Sequence, residues 1–345
     1  MGKRIPALTR VEPSRPLIRA LQAQIDLLAA SITGRDSYRI AAAWVYMSAL
    51  AAWAEDHGLI PGRLRAPARP ARDRFLKQGG TEAGWLALAV ADLAVHPAGW
   101  PFLDPTYGNL VREDSPSESA ARGLLDWWRD DAPTLAYPTS TGPATWEGFL
   151  AGELLQLLTD ERRLAHALAQ SPWWVADGIL DRTLIPAARE FRDTTLLLID
   201  PTCGTGHMLV RAVGMVWELY TTGELQPRQM HMHGVTGWTP VPPAVAARRI
   251  LDGVDGAELD PITAAVARLR VTVTIAHLLH GAGALPGPLR LADIPHSVQP
   301  RIVVGDSLLA GKVDRAEYAR LRPAQAAIVN LGTTAGGVLA EGVTR

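Results

Sequence analysis

The stretch that decides the fold is Thr195-Leu196-Leu197-Leu198-Ile199-Asp200-Pro201-Thr202-Cys203-Gly204-Thr205-Gly206. An apolar run of strand length ends in an aspartate and turns through two glycines. A helical pattern follows, with apolar residues at Met208, Leu209, Ala212, Val213 and Val216. By this arrangement an α/β sheet presents backbone N–H groups to a small polar ligand. A dinucleotide fingerprint would need a third glycine where Leu209 stands, so the turn does not favour that ligand.

Two further predicted strands end in an acid. Gly256-Ala257-Glu258 predicts a short strand ending in Glu258, with a helix after Pro261. Ile302-Val303-Val304-Gly305-Asp306 predicts a third strand ending in Asp306. Parallel strands present their carboxyl ends at one edge, so Asp200, Glu258 and Asp306 are expected to surround one crevice. Each acid alone is better explained as a solvated loop or helix cap, whereas the three in this order favour a ligand site.

A segment upstream of the glycine turn predicts a capped helix. Ser171 can accept a hydrogen bond at the N-cap, and Pro172 suits the first helical position. The predicted helix runs through Val175, Ile179 and Leu184. Capping alone would explain these residues, so they indicate a site only together with the turn.

Composition sets limits on function and location. The 345 residues can form two domains, and a net charge of −1 gives no global cationic field that would indicate nucleic acid. The single cysteine, Cys203, excludes an internal disulfide and fits a reducing cytoplasm; we expect it to pack beneath the turn rather than act as a catalytic thiol. The N-terminus lacks the layout of a signal peptide, and the apolar run 40–53 is too short and alanine-rich to span a bilayer, which favours a core helix. We therefore expect a cytoplasmic protein without a membrane partner.

The chain divides into two parts by pattern. Residues 1–165 predict a mainly helical N-terminal domain, and residues 166–345 alternate strands with helices, as in a Rossmann-like α/β domain with a parallel sheet. Between the helices, residues 61–74 predict a proline-broken basic loop, either a solvated linker or, less favoured, a phosphate contact.

His231 and His233 lack further ligands, so no metal site is predicted. Trp217 and Trp238 could stack on a base, although packing is favoured.

The motifs resemble a known family. The turn from Asp200 to Gly206 resembles motif I of S-adenosylmethionine-dependent DNA adenine methyltransferases. The segments 41–45, 55–60 and 179–186 are similar to the N-terminal part of PglX-type proteins, which belong to phage-growth-limitation and BREX defence systems and are related to type IIG restriction–modification enzymes. Phe149-Leu150-Ala151-Gly152-Glu153-Leu154 is similar to the family's Phe-Leu-Gly-x-Leu-Tyr, with an extra residue and without the tyrosine.

The resemblance implies S-adenosylmethionine as the cofactor. In the family, motif X closes over the methionine end, motif I forms the glycine turn, the motif II acid bonds the ribose hydroxyls and the motif III aspartate accepts from the adenine amino group. Carried onto this sequence, the cofactor-binding residues are Ser171 and Pro172 in motif X, Asp200, Pro201, Cys203, Gly204 and Gly206 in motif I, Glu258 in motif II and Asp306 in motif III. Double-stranded DNA is the partner that the resemblance implies.

The fourth motif departs from the family. Family members end their fourth strand in Asn-Pro-Pro followed by Tyr or Phe, which holds and stacks on the flipped adenine. The chain instead has Ile328-Val329-Asn330-Leu331-Gly332, which leaves Asn330 as the candidate catalytic residue. We therefore expect no methyl transfer by this chain alone. The later strands and a target-recognition domain are expected to come from a complementary chain, and the strand at 327–330 should be an open edge beside the first strand.

Several functions remain open from sequence. The first is a DNA adenine-N6 methyltransferase, as a fragment or the cofactor-binding subunit of a split enzyme. The second is a catalytically inactive S-adenosylmethionine-binding module that interacts with other defence components. A small-molecule methyltransferase is a weaker third alternative, because those enzymes seldom carry this helical N-terminal part.

Overall fold

The computed structural model describes residues 15–104, 111, 114–135, 152, 154–155, 171, 173–305 and 307. Within these residues the chain is mostly helical and contains a small parallel sheet. In chain order the elements are α1 (Arg15–Ala29), α2 (Ser37–Asp56), α3 (Arg69–Lys77), α4 (Glu82–Ala91), α5 (Glu118–Asp130), α6 (Trp173–Glu190), β1 (Leu198–Asp200), α7 (His207–Thr222), α8 (Pro243–Gly253), β2 (Val254–Glu258), α9 (Pro261–Gly281) and β3 (Arg301–Val304).

Helix α2 forms the centre of the N-terminal helical part. Its side chains are buried nearly all the way round, from Ile40 to Ala54, as the apolar run in the sequence predicted. Helix α1 packs on α2 through a buried stripe of residues at helical spacing, Leu17, Leu21, Ile25 and Leu28. The core helix predicted from sequence is confirmed.

The prediction of a basic loop over residues 61–74 is wrong. A 3₁₀ turn (Ala66–Ala68) and α3 occupy much of it, because Pro67 and Pro70 each stand at the first or second helical position, where proline is compatible with a helix. Its arginines pair with acids: Arg63 with Asp92, Arg65 with Asp56, and Arg72 with Glu82 and Asp126. These three cations are therefore committed to ion pairs, whereas Arg69 and Arg74 of the same segment are exposed.

The described strands form a parallel sheet in the order β1-β2-β3. Leu198 pairs in register with Val254, and Gly256 pairs with Ile302. Helices α7 and α8 connect β1 to β2 and α9 connects β2 to β3. The three helices contact one another and β2, which indicates that they lie on one face of the sheet. The predicted parallel arrangement of these strands is confirmed, while the predicted strand at 327–330 lies outside the described residues.

Strand β1 is covered on that face alone. Leu196, just before the strand, is buried, whereas Leu197 and Ile199 are 81% and 59% exposed. An apolar run usually indicates a strand buried on both faces. Here Ile199 is exposed although it is paired with Asp255 in the sheet, so this apolar run marks a strand with one covered face.

Helix α9 stands out among the described helices by its combination of length and apolar composition. It is long and apolar enough to cross a membrane by length and composition, with a mean hydropathy of 1.4 over 18 residues, but 94% of that stretch is buried inside the protein. Burial by the surrounding protein is what a core helix requires. The 3₁₀ segment Pro97–Phe102 packs on α9 from the N-terminal part.

The two parts of the chain are in contact. Buried side chains of both parts belong to one continuous hydrophobic cluster. The Leu291 amide donates a 2.8 Å hydrogen bond to the carbonyl of Leu59, and the His96 ring contacts the Pro295 carbonyl through Nε2 at 3.3 Å. The domain boundary near residue 165 stays a prediction.

Acid should weaken this junction through His96. The ring is fully buried, and its Nδ1 accepts from the Ala98 amide. Burial lowers the pKa of His96, opposed by the hydrogen bond to Pro295 and reinforced by His296. As pH falls below about 6.5, the unfolded chain takes up a proton that the buried imidazole does not, so stability should fall by up to about 1.4 kcal/mol per pH unit.

This pH effect can be isolated by substitution. We expect the slope of unfolding free energy between about pH 6.5 and 5.5 to become shallower in His96→Asn, which retains a cap acceptor. Urea denaturation of both proteins across that range measures the slopes. Parallel curves for the two proteins would contradict the assignment to His96.

Candidate cofactor-binding site

The glycine turn leaves β1 at Asp200 and enters α7 at His207. Gly204 and Gly206 have φ angles of +54° and +80°, a region that residues with a Cβ atom rarely adopt. The Cys203 amide donates to the Ala257 carbonyl at 2.9 Å, and the Gly206 amide donates to the Cys203 carbonyl at 2.8 Å. These bonds place the turn against the carboxyl end of β2.

Glu258 lies at the end of β2, facing the turn. Its carboxylate accepts hydrogen bonds from the amides of Gly204 at 2.9 Å and Asp260 at 3.0 Å. The residue is buried, and burial raises the pKa of Glu258, which these two amide bonds partly oppose. Each carboxylate oxygen can accept more than one hydrogen bond, so the group can also receive ligand hydroxyls.

Asp200 and the end of β3 complete the described part of this edge. The Asp200 carboxylate accepts from the Thr202 amide at 3.2 Å, and burial raises the pKa of Asp200. Beyond β3, Ser307 Oγ donates to the Pro201 carbonyl at 2.6 Å, and the Gly305 amide donates to the Glu258 carbonyl at 2.9 Å. The carboxyl ends of the three strands are thus joined by hydrogen bonds.

Of the remaining predicted site residues, only one lies in the part of the chain that the structure describes. Ser171 is half-buried ahead of α6. Pro172, Asp306 and Asn330 lie outside the described residues. The structure therefore brings together Asp200, Pro201, Cys203, Gly204, Gly206 and Glu258, and leaves the roles of all the predicted residues as predictions.

Cys203 packs beneath the turn. Its side chain is buried, and burial raises the pKa of the thiol, with the neighbouring carboxylates of Asp200 and Glu258 acting in the same direction. A raised pKa disfavours the thiolate that nucleophilic chemistry requires. The expected packing role agrees with this environment.

Two buried arginines of α9 support the site, and sequence reasoning missed them. Arg270 Nη1 donates to the carbonyl and the Oγ1 of Thr205 in the turn, at 2.6 and 2.9 Å. Arg268 Nε donates to the Ile302 carbonyl in β3 at 2.8 Å. Both side chains are nearly inaccessible to solvent. The available signal was two cations in an otherwise apolar helix, since buried arginine is rare without dedicated acceptors.

The tryptophans near this region pack against the protein, which is the role that the sequence favoured over stacking on a base. Trp238 is buried and its Nε1 donates to the Ala188 carbonyl at 2.9 Å, while Trp217 is half-buried against the core. Within the part of the chain that the structure describes, no group of three or more His, Cys, Asp or Glu side chains could hold a metal ion.

The chain is similar in sequence to a known methyltransferase. The chain is 31% identical over 290 residues to PglX of Streptomyces coelicolor (strain ATCC BAA-471 / A3(2) / M145), an adenine-specific methyltransferase. The match covers 79% of this chain and 22% of PglX. The resemblance to PglX-type proteins is confirmed. Because the chain spans about a fifth of PglX, the activity of that whole protein does not transfer directly.

A solved structure also resembles the chain. It is the type IIL restriction–modification enzyme MmeI in complex with DNA, with a TM-score of 0.39, 17% identity, and coverage of 84% of this chain and 40% of MmeI. No protein-family model matches the chain.

Proposed function

We propose that the chain binds S-adenosylmethionine at the carboxyl edge of the sheet, between the glycine turn, Glu258 and the end of β3. The observation that carries the proposal is the 2.9 Å hydrogen bond between the Gly204 amide and the Glu258 carboxylate. It joins a glycine turn to a buried acid on the neighbouring strand, and the similarity to PglX supplies the class of ligand.

The residues present suit this cofactor. Glu258 offers carboxylate oxygens to two ribose hydroxyls, and the positive-φ glycines let ligand atoms approach the backbone closely. Acids at the ends of β1 and β2 favour a ligand that carries a sulfonium cation. When bound, the cofactor would supply an electrophilic methyl group; Asp306 and Ser171-Pro172 are proposed to contact its adenine and methionine ends.

Cofactor binding is tested at Glu258. Isothermal titration should detect binding of S-adenosylmethionine or its demethylated product, and Glu258→Ala should weaken it by about 1–3 kcal/mol, because ligand hydroxyls lose their acceptor. Asp255→Asn is the matched control. It changes a carboxylate near the start of the same strand, and that carboxylate forms an ion pair with Arg301. The affinity for the cofactor should be unchanged. Absence of binding to the folded wild-type chain at millimolar cofactor would refute the proposal.

We further propose that this chain does not methylate adenine by itself. The 345 residues contain two asparagines, Asn109 and Asn330, and leucine follows each. No Asn-Pro-Pro-aromatic motif is therefore present to hold a flipped adenine against the methyl donor. Purified alone with labelled cofactor and double-stranded DNA, the chain should yield no N6-methyladenine. Sequence-specific methylation by the pure chain would show that another motif performs this role.

This expectation leaves two forms of the proposal. In the first, the chain is the cofactor-binding part of a DNA adenine methyltransferase and needs an Asn-Pro-Pro-aromatic motif from outside these 345 residues. In the second, it is an inactive cofactor-binding module that contacts other defence components in the cytoplasm. Methylation restored by adding the product of a neighbouring gene would decide for the first.

A further inference from the structure

The contact beneath the glycine turn joins three segments that are distant in sequence. Arg270 of α9 donates two hydrogen bonds to Thr205 of the turn. Gly152, from the N-terminal part, lies against the same pair. A Cβ atom added to Gly152 would stand 2.6 Å from Arg270 Nη1 and closer still to Thr205 Oγ1. The backbone of Gly152 therefore lies directly against the Arg270–Thr205 contact, at a distance that only glycine permits.

We propose that Arg270 is a positioning residue for the glycine turn. We further propose that the packing of Gly152 against the contact between Arg270 and Thr205 affects how tightly the cofactor binds. Thr205 stands between Gly204, whose amide meets Glu258, and Gly206, which begins α7. Holding Thr205 thus fixes both glycines. The inference rests on the proposed function, because the turn is the proposed cofactor site.

The physical need for such a residue follows from the turn itself. Two glycines at positive φ give the loop many alternative backbone conformations, and ordering them is costly. A hydrogen bond from a guanidinium is charge-assisted and stronger than a neutral one, and burial removes the competing water. Arg270 is fully buried, so its bonds to Thr205 can restrict the turn before the cofactor arrives, which is preorganisation.

The single cysteine provides a readout that does not require cofactor. Cys203 lies in the turn and is buried, so the rate at which a thiol reagent labels it reports opening of the turn. In the Arg270→Met variant we expect the reagent to label Cys203 at least about tenfold faster than global unfolding of that variant would allow. An increase of this size corresponds to the loss of a hydrogen bond to a charged group. Arg72→Met is the matched control. It removes a buried arginine in the N-terminal part, where Arg72 pairs with Glu82, and its labelling should follow global unfolding.

Further variants keep the test independent of folding defects in Arg270→Met. Thr205→Val removes the Oγ1 acceptor and should accelerate labelling, whereas Thr205→Ser retains it and should not. Gly152→Ala should accelerate labelling as well, since its methyl group displaces Thr205. Labelling that follows global unfolding in Arg270→Met, Thr205→Val and Gly152→Ala alike would overturn the inference.

Titration with S-adenosylmethionine separates this inference from the proposed function. Arg270→Met and Gly152→Ala should bind at least several-fold more weakly than wild type, and Arg72→Met should bind normally. If the wild-type chain does not bind the cofactor, the proposed function fails, while the labelling rates still decide whether Arg270 holds the turn. Normal affinity in both turn variants would overturn the link to cofactor binding.

Discussion

Replacing Glu82 by alanine is expected to lower the free energy of unfolding by about 3–5 kcal/mol, the usual cost of removing one partner from a buried ion pair. Glu82 accepts from Arg72 Nε at 2.8 Å, and both residues are buried. Burial raises the pKa of Glu82, but hydrogen bonds from Arg72 and Arg122 outweigh it and leave the pKa lowered. The alanine variant would leave the Arg72 guanidinium with the half-exposed Asp126 as its remaining acid.

Arg122 provides the matched control for Glu82. It pairs with the same carboxylate at 3.1 Å but is 62% exposed, so Arg122→Ala should change stability by less than about 1 kcal/mol. Urea denaturation of the three proteins measures the difference. Equal losses in the two variants would contradict the claim that burial of the Arg72–Glu82 pair makes it strong.

The same ion pairs show why sequence reasoning misread residues 61–74. The prolines and arginines there form a local pattern, and that pattern resembles a basic linker. The acids that pair with Arg65 and Arg72 come from other elements: Asp56 ends α2, Glu82 begins α4 and Asp126 lies in α5. Asp56 and Glu82 stand 9 and 10 residues from their arginines, and Asp126 stands 54 residues from Arg72, so the pairs could be assigned only after the helices were packed.

The elements around the glycine turn were predictable for the opposite reason. Strand, turn and helix at 195–216 each follow from local periodicity and from glycine's access to positive φ. The order of acids along the chain then placed Glu258 beside the turn, because parallel strands share one carboxyl edge. What could not be predicted is the support beneath it. Arg270 meets Thr205 across 65 positions of sequence, and nothing in the helical pattern of α9 specifies that partner.

Substitution of Gly256 by valine should abolish detectable cofactor binding and lower the free energy of unfolding by about 1–3 kcal/mol, as overpacking does. Gly256 lies in β2 under the turn. A Cβ atom there would stand 2.8 Å from Leu209 Cδ1, 3.1 Å from Cys203 Sγ and 3.3 Å from Ile302 Cγ1. Valine suits strands intrinsically, so the expected loss comes from displacement of the turn and the first residues of α7.

Gly214→Ala is the control that separates this steric effect from glycine replacement in general. Gly214 lies inside α7, and a Cβ atom there would meet no heavy atom within 4 Å. Alanine should therefore raise stability by up to about 1 kcal/mol, because glycine weakens a helix interior, and cofactor affinity should not change. Isothermal titration and urea denaturation of both variants provide the comparison. If Gly256→Val binds the cofactor as tightly as wild type, the crevice does not depend on close packing of the turn against β2, and the proposed position of the cofactor is wrong.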